Sequence, residues 1–289
     1  MKEGKNMARL GITVDNFNCF GEDRFKKMKE YGFDYGNYVI MDKPENLTEE
    51  EFEAKIMADK KAAEEAGVKI FQIHGPWRYP PHDETPENRA ERLETMKRSI
   101  RLTGKMGVKY WVIHPIMPFG PSVDPYPELF WQLNLEFFRQ LLPVAKEAGV
   151  VICYENMPMR NLKISPSEET LRFVREMNDE NFKFCLDTGH ENVFNPAIGD
   201  TVRMAGDDLK CLHIHDNKKA LDLHLYPQMG TINWKDFCQA LVDINYQGVF
   251  MMETGKLTHG SEKTTDLEFK LLRSIIDDIT AEFPSLLAE

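Results

Sequence analysis

The chain contains no apolar run approaching the ~18 residues that a membrane-spanning helix requires. Its first residues pass from MKEGKN into a short apolar stretch without the hydrophobic segment of a signal peptide. A cytoplasmic protein with no membrane partner is expected, residues 1–8 forming a disordered or tag-like N-terminus. Positive charge is also in short supply. Lys and Arg number 36 against 47 Asp and Glu, a net charge of −11, which repels phosphate backbones and disfavours nucleic acid as a partner. Cysteines are few: Cys19, Cys153, Cys185, Cys211 and Cys238 are an odd number without CxxC spacing, so buried reduced thiols are expected in place of disulfides or a zinc knuckle. No Walker-type or GxGxxG loop is present, and no nucleotide cofactor is expected.

What the sequence does have is one repeated unit. An amphipathic charged stretch ends in glycine, and a short β-branched or aromatic run follows at once. The junctions at Gly32, Gly67, Gly107, Gly149 and Gly248 each read as a helix C-terminus with glycine in the left-handed position. The first four lie 35, 40 and 42 residues apart, too far for hairpins and suited to helix-plus-strand units that force parallel pairing. Strands are expected at 10–14, 34–40, 69–74, 109–114, 150–155, 182–187, 209–215 and 249–253. Helices are expected near 22–31, 48–66, 86–106, 127–148, 167–178, 195–206, 234–244 and 263–283, the second opened by a Thr48–Glu51 capping box and the third by Thr85-Pro86. With no linker or low-complexity tract among 289 residues, eight alternating units predict an α/β fold, a single (β/α)₈ barrel domain over 1–289.

The strand ends carry the chemistry. Strands three to eight end at His74, His114, Glu155, Asp187, His215 and Glu253, six metal-capable or acid–base residues in succession. In a barrel all of these emerge at one face, so they converge although scattered in sequence. After strand six the run Asp187-Thr-Gly-His190 pairs an oxygen and a nitrogen donor three residues apart, a combination divalent metals accept. In HIHDN, period two points both His213 and His215 inward; His215, nearer the rim, is the expected ligand and His213 a satisfied core histidine. Asp222 and His224 follow in the same polar loop and either add ligands or orient that loop. Trp77, shortly after His74, is placed to stack on the apolar face of a ligand, whereas Trp111, inside a strand, is expected in the core.

The strand ends, DTGH, HIHDN followed by DLH and MGTINW, and the terminal METG together resemble the xylose isomerase-like TIM-barrel superfamily, most closely its sugar phosphate isomerase/epimerase branch, over essentially the whole chain. The resemblance implies one divalent ion (Mn, Zn, Mg or Co) held by Glu155, Asp187, His215 and Glu253, with His190 contacting substrate oxygens. It places Lys218 and Lys219 where those epimerases carry an arginine, so Lys218 is a candidate substrate contact. A divalent ion bridging carbonyl and hydroxyl oxygens stabilises the enediolate formed when a proton leaves the carbon beside a sugar carbonyl. Glu155 and Glu253 would exchange that proton, giving epimerisation or aldose–ketose isomerisation of a sugar or sugar phosphate. His74 and His114 would contact substrate hydroxyls or hold further metal. The same superfamily includes apurinic-site endonucleases with three zinc ions and nine ligands, matched here by His74, His114, Glu155, Asp187, His190, His215, Asp222, His224 and Glu253. The acidic charge and the few basic loop residues (Arg78, Arg160, Lys163, Lys218, Lys219) speak against a nuclease. A catalytically silent carbohydrate-binding barrel is a further alternative. A homo-oligomer is compatible with the sequence, although no clean apolar helix stripe names an interface.

Overall fold

A computed structural model describes residues 9–78, 80–257 and 262–288; the expectation for residues 1–8 lies outside the described residues. Eight parallel strands form one sheet: β1 (Leu10–Thr13), β2 (Tyr35–Val39), β3 (Lys69–His74), β4 (Tyr110–Ile113), β5 (Val151–Glu155), β6 (Phe182–Asp187), β7 (Leu209–His213) and β8 (Phe250–Met252). Consecutive strands pair from β1 to β7, and β8 returns beside β1 with Leu10 opposite Phe250. The ring closes between β7 and β8 through a single parallel bridge, Ile214 to Met252, in which the Ile214 amide donates to Met251 O at 2.8 Å and the Glu253 amide to Ile214 O at 3.0 Å. This is the predicted (β/α)₈ barrel.

The helices in chain order are α1 (Arg24–Glu30), α2 (Glu49–Glu65), α3 (Pro86–Lys105), α4 (Pro127–Arg139), α5 (Leu142–Ala148), α6 (Ser167–Met177), α7 (Thr188–Phe194), α8 (Ile198–Ala205), α9 (Trp234–Asp243) and α10 (Glu262–Ile279). The capping box on α2 is present, with the Glu51 amide donating to Thr48 Oγ1 and the Thr48 amide to Glu51 Oε2. Gly32, Gly67, Gly107 and Gly149 have φ of 81°, 75°, 68° and 68°, the left-handed helix ends predicted for them. At the last junction Asn245, with φ 53°, takes that role. Gly248 serves a close approach, since a Cβ there would lie 2.2 Å from the Tyr246 hydroxyl.

Two helix expectations are corrected. The single helix expected over 127–148 is split, because Pro143 in the first turn of α5 has no N–H to donate to a preceding carbonyl and its ring excludes a continuous helix. The helix expected from 195 begins at Ile198, and the DTGH turn itself forms α7, capped by the Asp187 side chain accepting from the His190 amide at 2.7 Å.

Strands buried on both faces divide the core. Val112, Val151, Cys153, Cys185 and Cys211 pack inside the barrel against Phe71 and Tyr110. Tyr154, pointing the other way from Cys153 and Glu155, stacks on Phe173 of α6 with centroids 4.8 Å apart. Trp111 is fully buried, its Nε1 donating to Ser99 Oγ at 2.9 Å, a core residue as expected. All five cysteines are free and four are buried. No helix among the described residues is long and apolar enough to cross a membrane.

Candidate metal centre and active site

The C-terminal ends of β3 to β8 converge on a cavity of about 320 Å³. Glu155, the last residue of β5, is buried on its floor. Its Oε1 lies 2.8 Å from His213 Nδ1, and its Oε2 lies 3.2 Å from His114 Nε2 and 3.7 Å from His74 Nε2. Glu253, one residue past β8, reaches the same His213 Nδ1 at 2.9 Å. Two glutamates from separate strands, on either side of β6 and β7, therefore meet at one imidazole. The expectation that His213 is a satisfied core histidine is corrected: it is fully buried, but its Nε2 has no hydrogen-bond partner, and neither has Glu155 Oε2. Period two brings it to the level of Glu155, because β7 ends at His213, while His215 sits one step higher.

Around His215 a second group forms. Its Nε2 lies 2.9 Å from both oxygens of Asp187 and 3.7 Å from Asp222 Oδ1. Asp222 Oδ2 is 3.2 Å from His190 Nε2 and 3.2 Å from His224 Nε2, and the His215 and His224 rings stack with centroids 4.0 Å apart. Three histidines are oriented by the backbone. Nδ1 of His74, His190 and His224 donates to the carbonyls of Gly75, Asn156 and Glu253 at 2.8, 2.9 and 2.7 Å, which turns each Nε2 toward the carboxylates.

That orientation tests whether a cation belongs here. A neutral imidazole held in this tautomer presents a lone pair to a carboxylate oxygen, an acceptor facing an acceptor, so each contact needs either a proton or a metal ion between them. The protonation tendencies say the same. Burial lowers the affinity of His190 for its proton, but Asp187 and Asp222 outweigh burial and hold its pKa at about 10. His224 is likewise raised to about 9, against burial, by Asp222 and Glu253. Burial would raise Glu253, yet His213 pulls it down to about 2, and Glu155 is drawn well below the ordinary carboxylate range by His213 and His114. His74 goes the other way, to about 4, through burial and the neighbouring His114. Ligand atoms of three sets each fall within 4.8 Å of one another: His74, His114 and Glu155; Glu155, Asp187, His213 and Glu253; and His190, His215, Asp222 and His224. Buried carboxylates and imidazole nitrogens at these spacings fit divalent metal.

The loop from β7 to α9 is pinned by a residue that sequence reasoning passed over. Asp216, fully buried, accepts from the amides of Asn217, Thr231 and Ile232 through Oδ1 at 2.8, 3.0 and 3.3 Å, and from Trp234 Nε1 through Oδ2 at 3.0 Å. Its backbone pairs with Leu225 in both directions, folding Asp222 and His224 back over His215. Gly230 permits this closure, since a Cβ there would stand 2.1 Å from Asp216 Oδ1. Asn156 was missed in the same way; it accepts from the Asp187 amide and donates to the Asp187 carbonyl at 2.8 and 3.0 Å. The available signal was a side-chain amide or carboxylate directly after two of the ligand-bearing strand ends, in Glu155-Asn156 and His215-Asp216-Asn217.

Of the residues singled out from the sequence, His74, Trp77, His114, Glu155, His190, Asp222, His224 and Glu253 line the cavity, and Asp187 and His215 are buried against it. Lys218 is not brought in: it is exposed and absent from the lining, as is Lys219.

A family model described as xylose isomerase-like TIM barrel matches residues 25–275. A D-psicose 3-epimerase of Ruminiclostridium cellulolyticum is 29% identical over 205 residues, covering 67% of this chain and 66% of that protein. A probable endonuclease 4 of Haloarcula marismortui is 27% identical over 147 residues, covering 46% of this chain and 50% of that protein. The aligned stretch thus spans about two thirds of the first relative's length and half of the second's. The solved structure of an L-ribulose 3-epimerase superposes with a TM-score of 0.79 over 96% of this chain and 95% of that one at 17% identity, a likeness of fold.

Proposed function

We propose that this chain, which belongs to the xylose isomerase-like TIM-barrel family, is a divalent-metal-dependent epimerase or isomerase of a sugar or sugar derivative. The observation that carries the proposal is the pair Glu155 and Glu253, two carboxylates from separate strands that reach one buried imidazole at 2.8 and 2.9 Å on the cavity floor. Its similarity to a D-psicose 3-epimerase supports the same class of reaction.

Glu155, Asp187 and Glu253 would hold the ion, with His213 as the imidazole whose ligand atom gathers with theirs, and His215, 2.9 Å from Asp187, as the ligand that the family pattern names. When bound, it supplies positive charge to the carbonyl and neighbouring hydroxyl oxygens. The chain's own residues do the rest. One glutamate removes the proton from the carbon beside the carbonyl, and the other returns a proton to the opposite face, inverting that carbon; return to the adjacent carbon moves the carbonyl instead. Both glutamates are kept ionised by neighbouring cationic charge, and so start in the form a base requires. His190, whose Nε2 faces the cavity beside Asp222, donates to a substrate oxygen.

The test is to incubate metal-loaded protein with ketoses, aldoses and their phosphates in deuterated water and to follow label by NMR and new sugars by chromatography. Label beside the carbonyl with inverted configuration marks an epimerase, and a moved carbonyl marks an isomerase. A panel with neither label nor new sugar refutes the proposal.

One observation favours a second reading, a trinuclear zinc phosphodiesterase acting at abasic sites: the three ligand sets described above together use every residue of the nine-ligand pattern. Charge weighs against it. The net charge is −11, and Arg78 is the single arginine or lysine among the described residues lining the cavity, where a DNA-binding face uses several phosphate contacts. Cleavage of an abasic-site oligonucleotide together with three zinc ions per chain would establish this reading.

A further inference from the structure

The cavity has two unlike halves. Its floor presents the histidines and carboxylates, whereas its upper wall is built by Trp77, Met117, Met157, Pro158 and Met159, drawn from the loops after β3, β4 and β5. Met117 and Met157 are buried, and Trp77 keeps 45% of its surface exposed at the mouth. None of these five offers a strong hydrogen-bond acceptor, and the Trp77 indole N–H is their sole conventional side-chain donor; a thioether sulfur accepts only weakly. A sugar bound with its reacting carbon at Glu155 and Glu253 would turn its far end to this wall. Hydroxyls there would be desolvated with few partners, which binding does not repay.

A phosphate fares no better at that end. Arg78 is already held, its Nε donating to Pro81 O at 2.6 Å and Nη2 to His82 O at 2.9 Å, with Asp83 and Glu91 carboxylates each 3.7 Å away. Three carboxylates, Glu155, Asp222 and Glu253, line the same cavity. His190 and His224 sit with these carboxylates, and among the described lining residues no cation but Arg78 stands beside the methionines to meet an added dianion. Methionine sulfur and an exposed indole are, by contrast, favourable neighbours for an aromatic or alkyl group, and an apolar patch at a cavity mouth marks a place that a ligand covers.

We infer that the substrate carries an uncharged apolar substituent, aryl or alkyl, on the end remote from its reacting carbon, and that Trp77 and the three methionines receive it. This rests on the sugar reading above. The test uses three ketoses that differ only at the remote end: D-fructose, D-fructose 6-phosphate and 6-O-benzyl-D-fructose. Each is titrated calorimetrically into manganese-loaded full-length protein, and each is followed for deuterium at C3. The benzyl ether should bind at least tenfold more tightly than D-fructose, with the phosphate weakest. Met159→Lys should reverse the order of benzyl ether and phosphate, and Trp77→Gln, a change at an exposed position, should lower the ratio of benzyl-ether to fructose affinity several-fold. Tightest binding by the phosphate, or a benzyl ether no tighter than D-fructose, overturns the inference while label at C3 leaves the sugar reading standing. If these three are silent but the wider panel labels another sugar, the same three remote ends on that sugar decide by the same criteria. Silence throughout removes both.

Discussion

Asp216 offers the sharpest test of how the loop bearing Asp222 and His224 is held. In Asp216→Asn the Oδ1 position can still accept from the three amides at 2.8, 3.0 and 3.3 Å, but the new NH₂ group faces Trp234 Nε1–H where Oδ2 accepted at 3.0 Å. Two donors then meet in a fully buried place. Losing a hydrogen bond to a charged group costs about 1.5–3 kcal/mol, and stranding a buried donor adds to it, so a destabilisation of about 2–4 kcal/mol is expected. Urea unfolding followed by far-UV circular dichroism measures it, with a parallel fall in Tm of about 2–4 °C per kcal/mol. Trp234→Phe alone leaves Oδ2 without its partner and should also destabilise. In the double variant the donor–donor conflict is gone, so its loss should fall short of the sum of the two single losses by about 1 kcal/mol or more. Additivity to within about 0.5 kcal/mol would show that the carboxylate and the indole do not act as one clamp, and would refute the reasoning.

Glu253→Gln should keep the fold and lower turnover on the identified substrate by at least about a hundredfold, as general acid–base groups do; near-wild-type turnover rules out the assigned role. Manganese added at a hundred times its dissociation constant should stabilise the protein by about 2.7 kcal/mol, and prolonged treatment with a chelator should reverse the gain in Tm; an unchanged Tm in both directions would count against a tight divalent site. Burial raises the pKa of Glu191, whose carboxylate accepts from Thr201 Oγ1 at 2.7 Å and the Ser167 amide at 3.3 Å. Its contribution is therefore complete below the unfolded-state pKa and is lost as pH rises through the folded one. Glu191→Gln, which can still accept from the Ser167 amide and donate to Thr201, should gain in Tm relative to wild type between pH 4 and pH 7, and a difference independent of pH would refute the assignment.

Much of the barrel was legible because each helix–strand junction declares itself locally. Left-handed Gly32, Gly67, Gly107 and Gly149 need only their neighbours to be understood. The strand-end residues were legible for a related reason: once the unit repeats, topology alone brings His74, His114, Glu155, Asp187, His215 and Glu253 to one face. The partition of ligands was less legible. His213 and His215 share a face in any strand, and which one meets Glu155 depends on where β7 stops and how deep β5 and β8 lie beside it, a relation between distant segments. Lys218 shows the same limit from the other side, since a charge in a polar loop says nothing about which way the loop turns; here it turns outward. The methionine wall escaped because Met117, Met157 and Met159 look like core residues one at a time and form a surface only when loops after two strands meet.

The join between β7 and β8 has a dynamic consequence. Where other neighbouring strands share several registered pairs, these two are tied at Ile214 and Met252 alone. His213 and His215 flank that tie on one side and Glu253 on the other. The thinnest place in the wall is thus bordered by the groups that would grip an ion, and whatever occupies the centre acts as a clasp on the barrel. Opening at this seam separates His213 from Glu253 and empties the grip, so slow amide exchange at Ile214 and Glu253 would report occupancy directly. With an ion bound at this place, staying shut and staying loaded would be one equilibrium.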